Sequence, residues 1–166
     1  MASHPLTYAF IDSQNVNLGI QRLGWKLDLR KFRVFLEQKY AVQRAYFFIG
    51  YLEQYADFYE AIRSYGYTPV FKEVVHQEGK PKGNVDAELV LQAMLDYPVY
   101  DRAVIVTSDG DFACLVHHLA ANGKLERVLS PSTPALCSAL LKRAAGHRID
   151  FLDSQRRKLE YRWATK

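Results

Sequence analysis

The stretch Val104-Ile105-Val106-Thr107-Ser108-Asp109-Gly110-Asp111-Phe112 leaves this chain few folds to choose from. Its β-branched apolar start is too short for a helix and fits a buried strand. The strand runs directly into a turn carrying two carboxylates. Phe112, Leu115, Val116, Leu119 and Ala120 follow at i, i+3, i+4, i+7 and i+8, the spacing of a helix with one apolar face. Both acids therefore sit where a strand ends and a helix begins, the edge of an open parallel sheet where ligands bind. A single Asp would suffice to cap the helix; a pair asks for a second explanation.

The same alternation recurs along the chain. Residues 7–11 form a short buried strand that stops at the polar cluster Asp12-Ser13-Gln14-Asn15-Val16-Asn17. Asp28 caps a helix through Leu29, Phe32, Phe35 and Leu36 that ends near Lys39. An aromatic-rich strand over 42–49, a helix through Tyr55, Phe58, Tyr59 and Ile62 closed by Gly66, and a strand over 68–72 come next. Residues 73–83 are polar, with Gly79, Pro81 and Gly83, and are expected to form a loop. Asn84 or Asp86 then caps a helix through Leu89, Val90, Ala93 and Met94 that Pro98 ends.

After the strand at 102–107 and the helix at 110–122, a fifth strand covers 126–129. Pro134 is expected to open a helix through Leu140 and Leu141. Residues 148–151 form a short last strand, and 154–163 a basic terminal helix. Strands alternating with helices imply βαβ units and an α/β fold: a three-layer αβα sandwich on a mostly parallel sheet with right-handed crossovers. The division expected is one domain over residues 1–153, then a basic C-terminal helix or tail over 154–166.

A chain of 166 residues suits one domain with a sizeable core. No apolar run reaches the roughly 18 residues of a membrane span, and the first residues lack the pattern of a signal peptide. Cys114 and Cys137 lie in apolar helical patterns without metal-ligand spacing, so both are expected to be buried thiols of a reducing, cytoplasmic protein. The net charge of +4 is uneven: residues 142–166 carry eight Lys/Arg against three acids, and the remainder is near neutral. A basic end suits a polyanion such as nucleic acid, and equally a solvated helix.

If the first and fourth main strands are neighbours, strand order reverses between them, and Asp12 and Asp109 point into one crevice. Asp86 and Asp111 fall at or near the same place. Carboxylates gathered without basic partners repel one another and resist burial. A hard divalent cation resolves this, and oxygen ligands suit Mg²⁺ or Mn²⁺ rather than Zn²⁺. Such a site can activate water and stabilise phosphoryl oxygens. Asn15 either orients a ligand or braces its turn. Lys82 either contacts a phosphate or is a plain loop lysine, and Ser108 either meets substrate or caps the turn. His117 and His118 lie beyond reach of the acids.

Phe10-Ile11-Asp12-Ser13-Gln14-Asn15, Lys82-Gly83-Asn84-Val85-Asp86 and Ser108-Asp109-Gly110-Asp111-Phe112 together resemble the NYN family of PIN-like domains, over roughly residues 6–130. The resemblance implies a sheet of order 3-2-1-4-5 with helices on both faces. It implies a metal-dependent endoribonuclease whose catalytic and metal residues are Asp12, Asp86, Asp109 and Asp111, with Asn15, Lys82 and Ser108 at the substrate. Family members often carry a further Asp six residues after the position of Asp86; here it is Gln92, which removes one charge from a two-metal site.

The function these readings favour is Mg²⁺- or Mn²⁺-dependent hydrolysis of RNA, with Asp12 and Asp109 as direct ligands and Asp86 and Asp111 completing the shell. The expected partner is RNA, single-stranded, with no membrane; a homodimer is compatible with everything above. The alternative is a non-catalytic RNA-binding module of the same fold. A phosphotransfer receiver is disfavoured, because its nucleophilic Asp would end the third strand, which here ends Phe71-Lys72-Glu73.

Overall fold

In the computed structural model, residues 4–77, 80–82 and 84–163 are described. The order is β1 (Thr7–Asp12), α1 (Ser13–Arg22), α2 (Leu29–Tyr40), β2 (Val42–Tyr51), α3 (Ala56–Ser64) and β3 (Tyr67–Glu73). A short antiparallel hairpin, β4 (Val75–Gln77) and β5 (Lys80–Lys82), leads into α4 (Asp86–Leu95). β6 (Arg102–Val106), α5 (Ala113–Ala121), β7 (Leu125–Ser130), α6 (Ala139–Ala145), β8 (Ile149–Phe151) and α7 (Arg156–Leu159) complete it.

The main sheet is six-stranded, with order β3-β2-β1-β6-β7-β8 and every pairing parallel. Counting main-sheet strands only, this is 3-2-1-4-5-6: the expected order, extended by the short strand at the C-terminal edge. β1 is buried at all six positions, as a strand covered on both faces must be, and such strands carry near-continuous apolar runs. Successive side chains alternate faces. Tyr8 and Phe10 join Leu89, Leu115, Leu119 and Leu141 under α4, α5 and α6. Ala9 and Ile11 join Val16, Ile20, Phe32, Leu36 and Leu159 under α1, α2 and α7. Two helical layers thus enclose the sheet.

Four expectations need correction. Residues 73–83 are not a plain loop, since the β4–β5 hairpin forms within them. The helix after β7 begins at Ala139 and not at Pro134. Ser138 Oγ accepts from Leu141 N–H as its cap, and Pro134 sits in a turn closed by Leu136 N–H on Thr133 O. The terminal helix is the single turn Arg156–Leu159, because Glu160 leaves it to pair antiparallel with Leu27. Cys114 is exposed while Cys137 is buried; Phe112, Leu115, Val116 and Leu119 turn inward on the same stretch, which points position 114 away.

β1 pairs with β2 on one side and β6 on the other, Ile11 lying against Phe47 and against Val106. From β1 the chain builds outward to β3, then returns to place β6 on β1's free edge. The C-terminal ends of β1 and β6 therefore flank the point where strand order reverses, where α/β sheets leave a crevice. Among the described residues no helix is long and apolar enough to cross a membrane.

Candidate metal and phosphate site

Asp12 is the last residue of β1 and the cap of α1. Its Oδ1 accepts from Asn15 N–H at 3.4 Å, which satisfies one of the amides left open at a helix start. Its Oδ2 accepts from the Thr107 hydroxyl at 3.4 Å, and Thr107 Oγ1 in turn accepts from Asp109 N–H at 3.1 Å. Asp109 caps the next turn, its Oδ1 accepting from Asp111 N–H at 2.9 Å. Asn15 Oδ1 accepts from both Ser108 N–H (2.8 Å) and Ser108 Oγ (3.0 Å). The two strand ends are thus laced together by Thr107 and Asn15. Thr107 does not stand out in the sequence; its only signal there is a hydroxyl at the end of an apolar strand, directly before the acidic turn.

Asp86 enters from a third element as the first residue of α4. The N-cap position is Val85, which has no side-chain oxygen to offer; Asn84 Oδ1, one residue further back, accepts the Asp86 N–H at 2.8 Å. Lys72 from the end of β3 donates to Asn84 O at 2.6 Å and pairs with Glu88 at 3.5 Å, tying the start of α4 to the sheet. Gly110 allows the acidic turn to approach α6: a Cβ there would collide with Ser138 Oγ.

The result is a three-carboxylate cluster. One oxygen each of Asp86, Asp109 and Asp111 lies within 4.8 Å of the others. Asp12 is outside that set but close enough that Asp86 and Asp109 act on it electrostatically. Burial, with those two charges adding, pushes its carboxyl up to about 6, against the hydrogen bonds from Asn15 and Thr107. Burial first, then Asp109, also raises Asp86, and Lys72 opposes this weakly. Asp12 is 5% exposed, whereas Asp111 faces solvent. Among the described residues none of the four acids forms an ion pair.

Oxygens bound across a Mg²⁺ at about 2.1 Å lie about 4.2 Å apart, so the cluster fits a hard divalent ion after small side-chain rotations. An all-carboxylate donor set is wrong for Zn²⁺ and right for Mg²⁺ or Mn²⁺. Of the remaining expected site residues, Asn15 and Ser108 bond to each other, and Lys82 is in β5 with its side chain outside the described part of the structure. His117 and His118 are exposed on α5 and take no part in the cluster. Gln92 is half-buried on α4 and adds no charge.

Among curated protein sequences no significant match is found. A crystal structure of a protein of unknown function from Vibrio parahaemolyticus has the same fold, with a TM-score of 0.77 at 24% identity over 96% of this chain and 99% of that one. The NYN domain profile matches residues 7–153, a span holding every strand of the sheet and all four acids at the point of strand reversal. The chain belongs to the NYN domain family, and with it to the PIN-like superfamily of nuclease folds.

Proposed function

We propose that this protein is a Mg²⁺- or Mn²⁺-dependent endoribonuclease. The observation that carries the reading is the set of Asp86, Asp109 and Asp111 oxygens, gathered within 4.8 Å and without an ion-pair partner among the described residues, at the edge of an NYN sheet. A fold keeps like charges together at a cost, and an ion relieves it. Asp86, Asp109 and Asp111 would hold the ion, with Asp12 beside them adding its charge from a more buried position. When bound, it supplies a water nucleophile near neutral pH and offsets charge growing on the phosphate oxygens.

The chain's own residues do the rest. Thr107 and Asn15 hold the Asp12 and Asp109 turns at a fixed separation, which matters because catalytic geometry tolerates little displacement. Asn15 spends its side-chain carbonyl oxygen on Ser108, and its side-chain amide nitrogen, which bonds no described residue, would be the group to meet a phosphate or water. Lys82 is assigned to the substrate backbone as a point charge.

The test is cleavage of mixed-sequence single-stranded RNA by purified protein in Mg²⁺ or Mn²⁺, beside Asp109→Asn and a chelator control. Asn has nearly the shape of Asp, so the fold should persist while cleavage falls by orders of magnitude. Equal cleavage by both proteins would point to a contaminant and remove the assignment. Gln92 favours a second reading, a non-catalytic RNA-binding module; wild-type protein that binds several RNAs and cleaves none would establish it.

A further inference from the structure

A groove of about 530 Å³ opens alongside α1, within the roughly 300–1,000 Å³ range of small-ligand sites. It adjoins the acidic cluster by direct chain continuity: Ser13 follows Asp12, Val85 precedes Asp86, and both line it. At its other end it reaches Trp25, Lys26 and Leu27. α1, with ten residues, runs about 15 Å between these ends.

The helix lends the groove two rows of side chains. Val16 and Ile20 are buried in its floor. Gln14, Asn17 and Gln21 also line it but are exposed, and steps of three and four place their amides on one helix face. Phe58 of α3 lines it too. This ring is 39% exposed, yet it is braced edge-on against Phe47 at 6.5 Å and Tyr59 at 6.0 Å. Trp25 is fixed by its indole N–H, which donates to Asp153 at 3.1 Å. Beyond it the Lys26 ammonium lies 4.7 Å from the Tyr161 ring and 5.4 Å from that of Trp163. The groove therefore leads from the chain neighbours of Asp12 and Asp86 to exposed aromatics on the basic C-terminal segment.

An apolar floor, a held but accessible ring and a row of amides are what an unstacked nucleobase needs: a surface for its face and partners for its edge. We propose that this groove is a nucleobase subsite for single-stranded RNA. Bases next to the phosphate at the acidic cluster stack on Phe58 and meet the amides of Gln14, Asn17 and Gln21, while Lys26 faces the backbone as the strand leaves. The inference rests on the acidic cluster being the seat of RNA phosphate. A greasy peptide would leave the three amides unused, and a second copy of this chain would not require the groove to begin at the acids.

The experiment is fluorescence anisotropy in chelator with two labelled strands of equal length, one with bases and one with abasic positions throughout its centre. Wild type should bind the base-bearing strand about tenfold more tightly, the scale of one or two stacked bases. Phe58→Ala should erase most of that preference and leave the abasic strand's affinity unchanged. Phe58→Leu, which keeps apolar bulk without a ring, should do the same and guards against misfolding. Gln21→Ala should change which base is preferred. Equal affinity of wild type for both strands, equal losses on both strands in the variants, or a concentration-dependent mass that Phe58→Ala abolishes would each overturn the proposal. Cleavage is scored separately: a protein that keeps the base preference but never cleaves loses the nuclease reading and keeps this one, and a protein that cleaves without base preference does the reverse.

Discussion

The acidic crevice and the basic C-terminal segment treat charge in opposite ways. In the crevice Asp12, Asp86, Asp109 and Asp111 have no ion-pair partner among the described residues, and two of them have raised pKa values. In the C-terminal segment three of the eight cations are spent on the fold itself. Arg156 pairs with Glu160 at 3.1 Å, Lys142 donates to Pro134 O at 2.9 Å and Arg148 to Glu126 O at 3.5 Å. Asp28 N–H bonds Leu159 O at 2.8 Å, and Tyr161 N–H bonds Lys26 O at 2.8 Å. Net charge alone would have ranked the basic end as the functional feature. The pairing pattern ranks the acids first, because unpaired like charges held close and partly buried are costly, and that cost makes them the stronger candidates for a functional site.

The sharpest way to break this comparison is to remove charge from each region in turn. Asp86→Asn should lower metal-dependent cleavage on the order of 100-fold or more, since it takes one ligand from a three-oxygen set. The same variant should lose metal-induced stabilisation. For wild type, ion at about 100 times its dissociation constant adds about 2.7 kcal/mol, visible as a higher melting temperature in Mn²⁺ than in chelator. A variant that cleaves and is stabilised like wild type would mean the cluster is incidental.

A smaller effect tests how the two strand ends are joined. Thr107→Val keeps the volume but removes the hydroxyl that serves both Asp12 and the Asp109 amide. Urea unfolding should show a loss of about 1–3 kcal/mol, the cost of buried polar groups left without partners. Cleavage should fall as well, because both turns lose a common anchor. Loss of stability with full activity would show that Thr107 only packs the core.

The pH dependence follows from Asp12. Its carboxyl rises from an ordinary 3.8 to about 6 on folding, so the folded chain holds this proton more tightly than the unfolded one. The stabilising contribution is complete below about pH 4 and is lost as pH rises through 6, by up to about 3 kcal/mol. In chelator, the difference in unfolding free energy between pH 5 and pH 7.5 should therefore shrink in Asp12→Asn. That variant should be the more stable protein at pH 7.5, since Asn caps a helix about as well as Asp. An unchanged pH profile would mean that Asp12 stays charged in the apo-protein.

Much of the fold and the site is legible in the sequence, for physical reasons that differ by residue. β1 and β6 are central parallel strands, and burial on both faces writes an unbroken apolar run into the sequence. Asp12 and Asp109 stand out because each ends such a run. α1 is harder to see: it starts Ser13-Gln14-Asn15, its core residues are Val16 and Ile20, and a polar stretch after a strand looks like a turn. The β4–β5 hairpin is held by pairing that a polar run with Gly79 and Pro81 does not advertise. The terminal helix stops early because Leu27, far back in the chain, takes Glu160 into a bridge, and no local pattern encodes a distant partner. For Asn15 the sequence leaves open whether it braces its turn or touches a ligand; its carbonyl oxygen does the bracing through Ser108.

The smallest effect expected comes from the basic segment and sharpens the comparison from the other side. Deleting residues 154–166 would be a poor probe, because Leu159 is completely buried among the residues of α2 and β1 and its removal would loosen the domain. Arg157 and Lys158 are exposed on α7 and form no ion pair among the described residues, so Arg157→Gln with Lys158→Gln removes charge and little else. If these side chains lie against RNA phosphates, each phosphate no longer neutralised flattens the slope of log affinity against log salt by about 0.7 for a single strand. The double variant should then show a slope shallower by about 1.4, weaker binding at low salt by a similar factor on unrelated sequences, and melting behaviour like wild type. Backbone contacts position a strand without reading it, so any base preference should survive. An unchanged salt slope would make this end of the protein a solvated surface, and would leave the acids and the groove beside them as the whole of the RNA site.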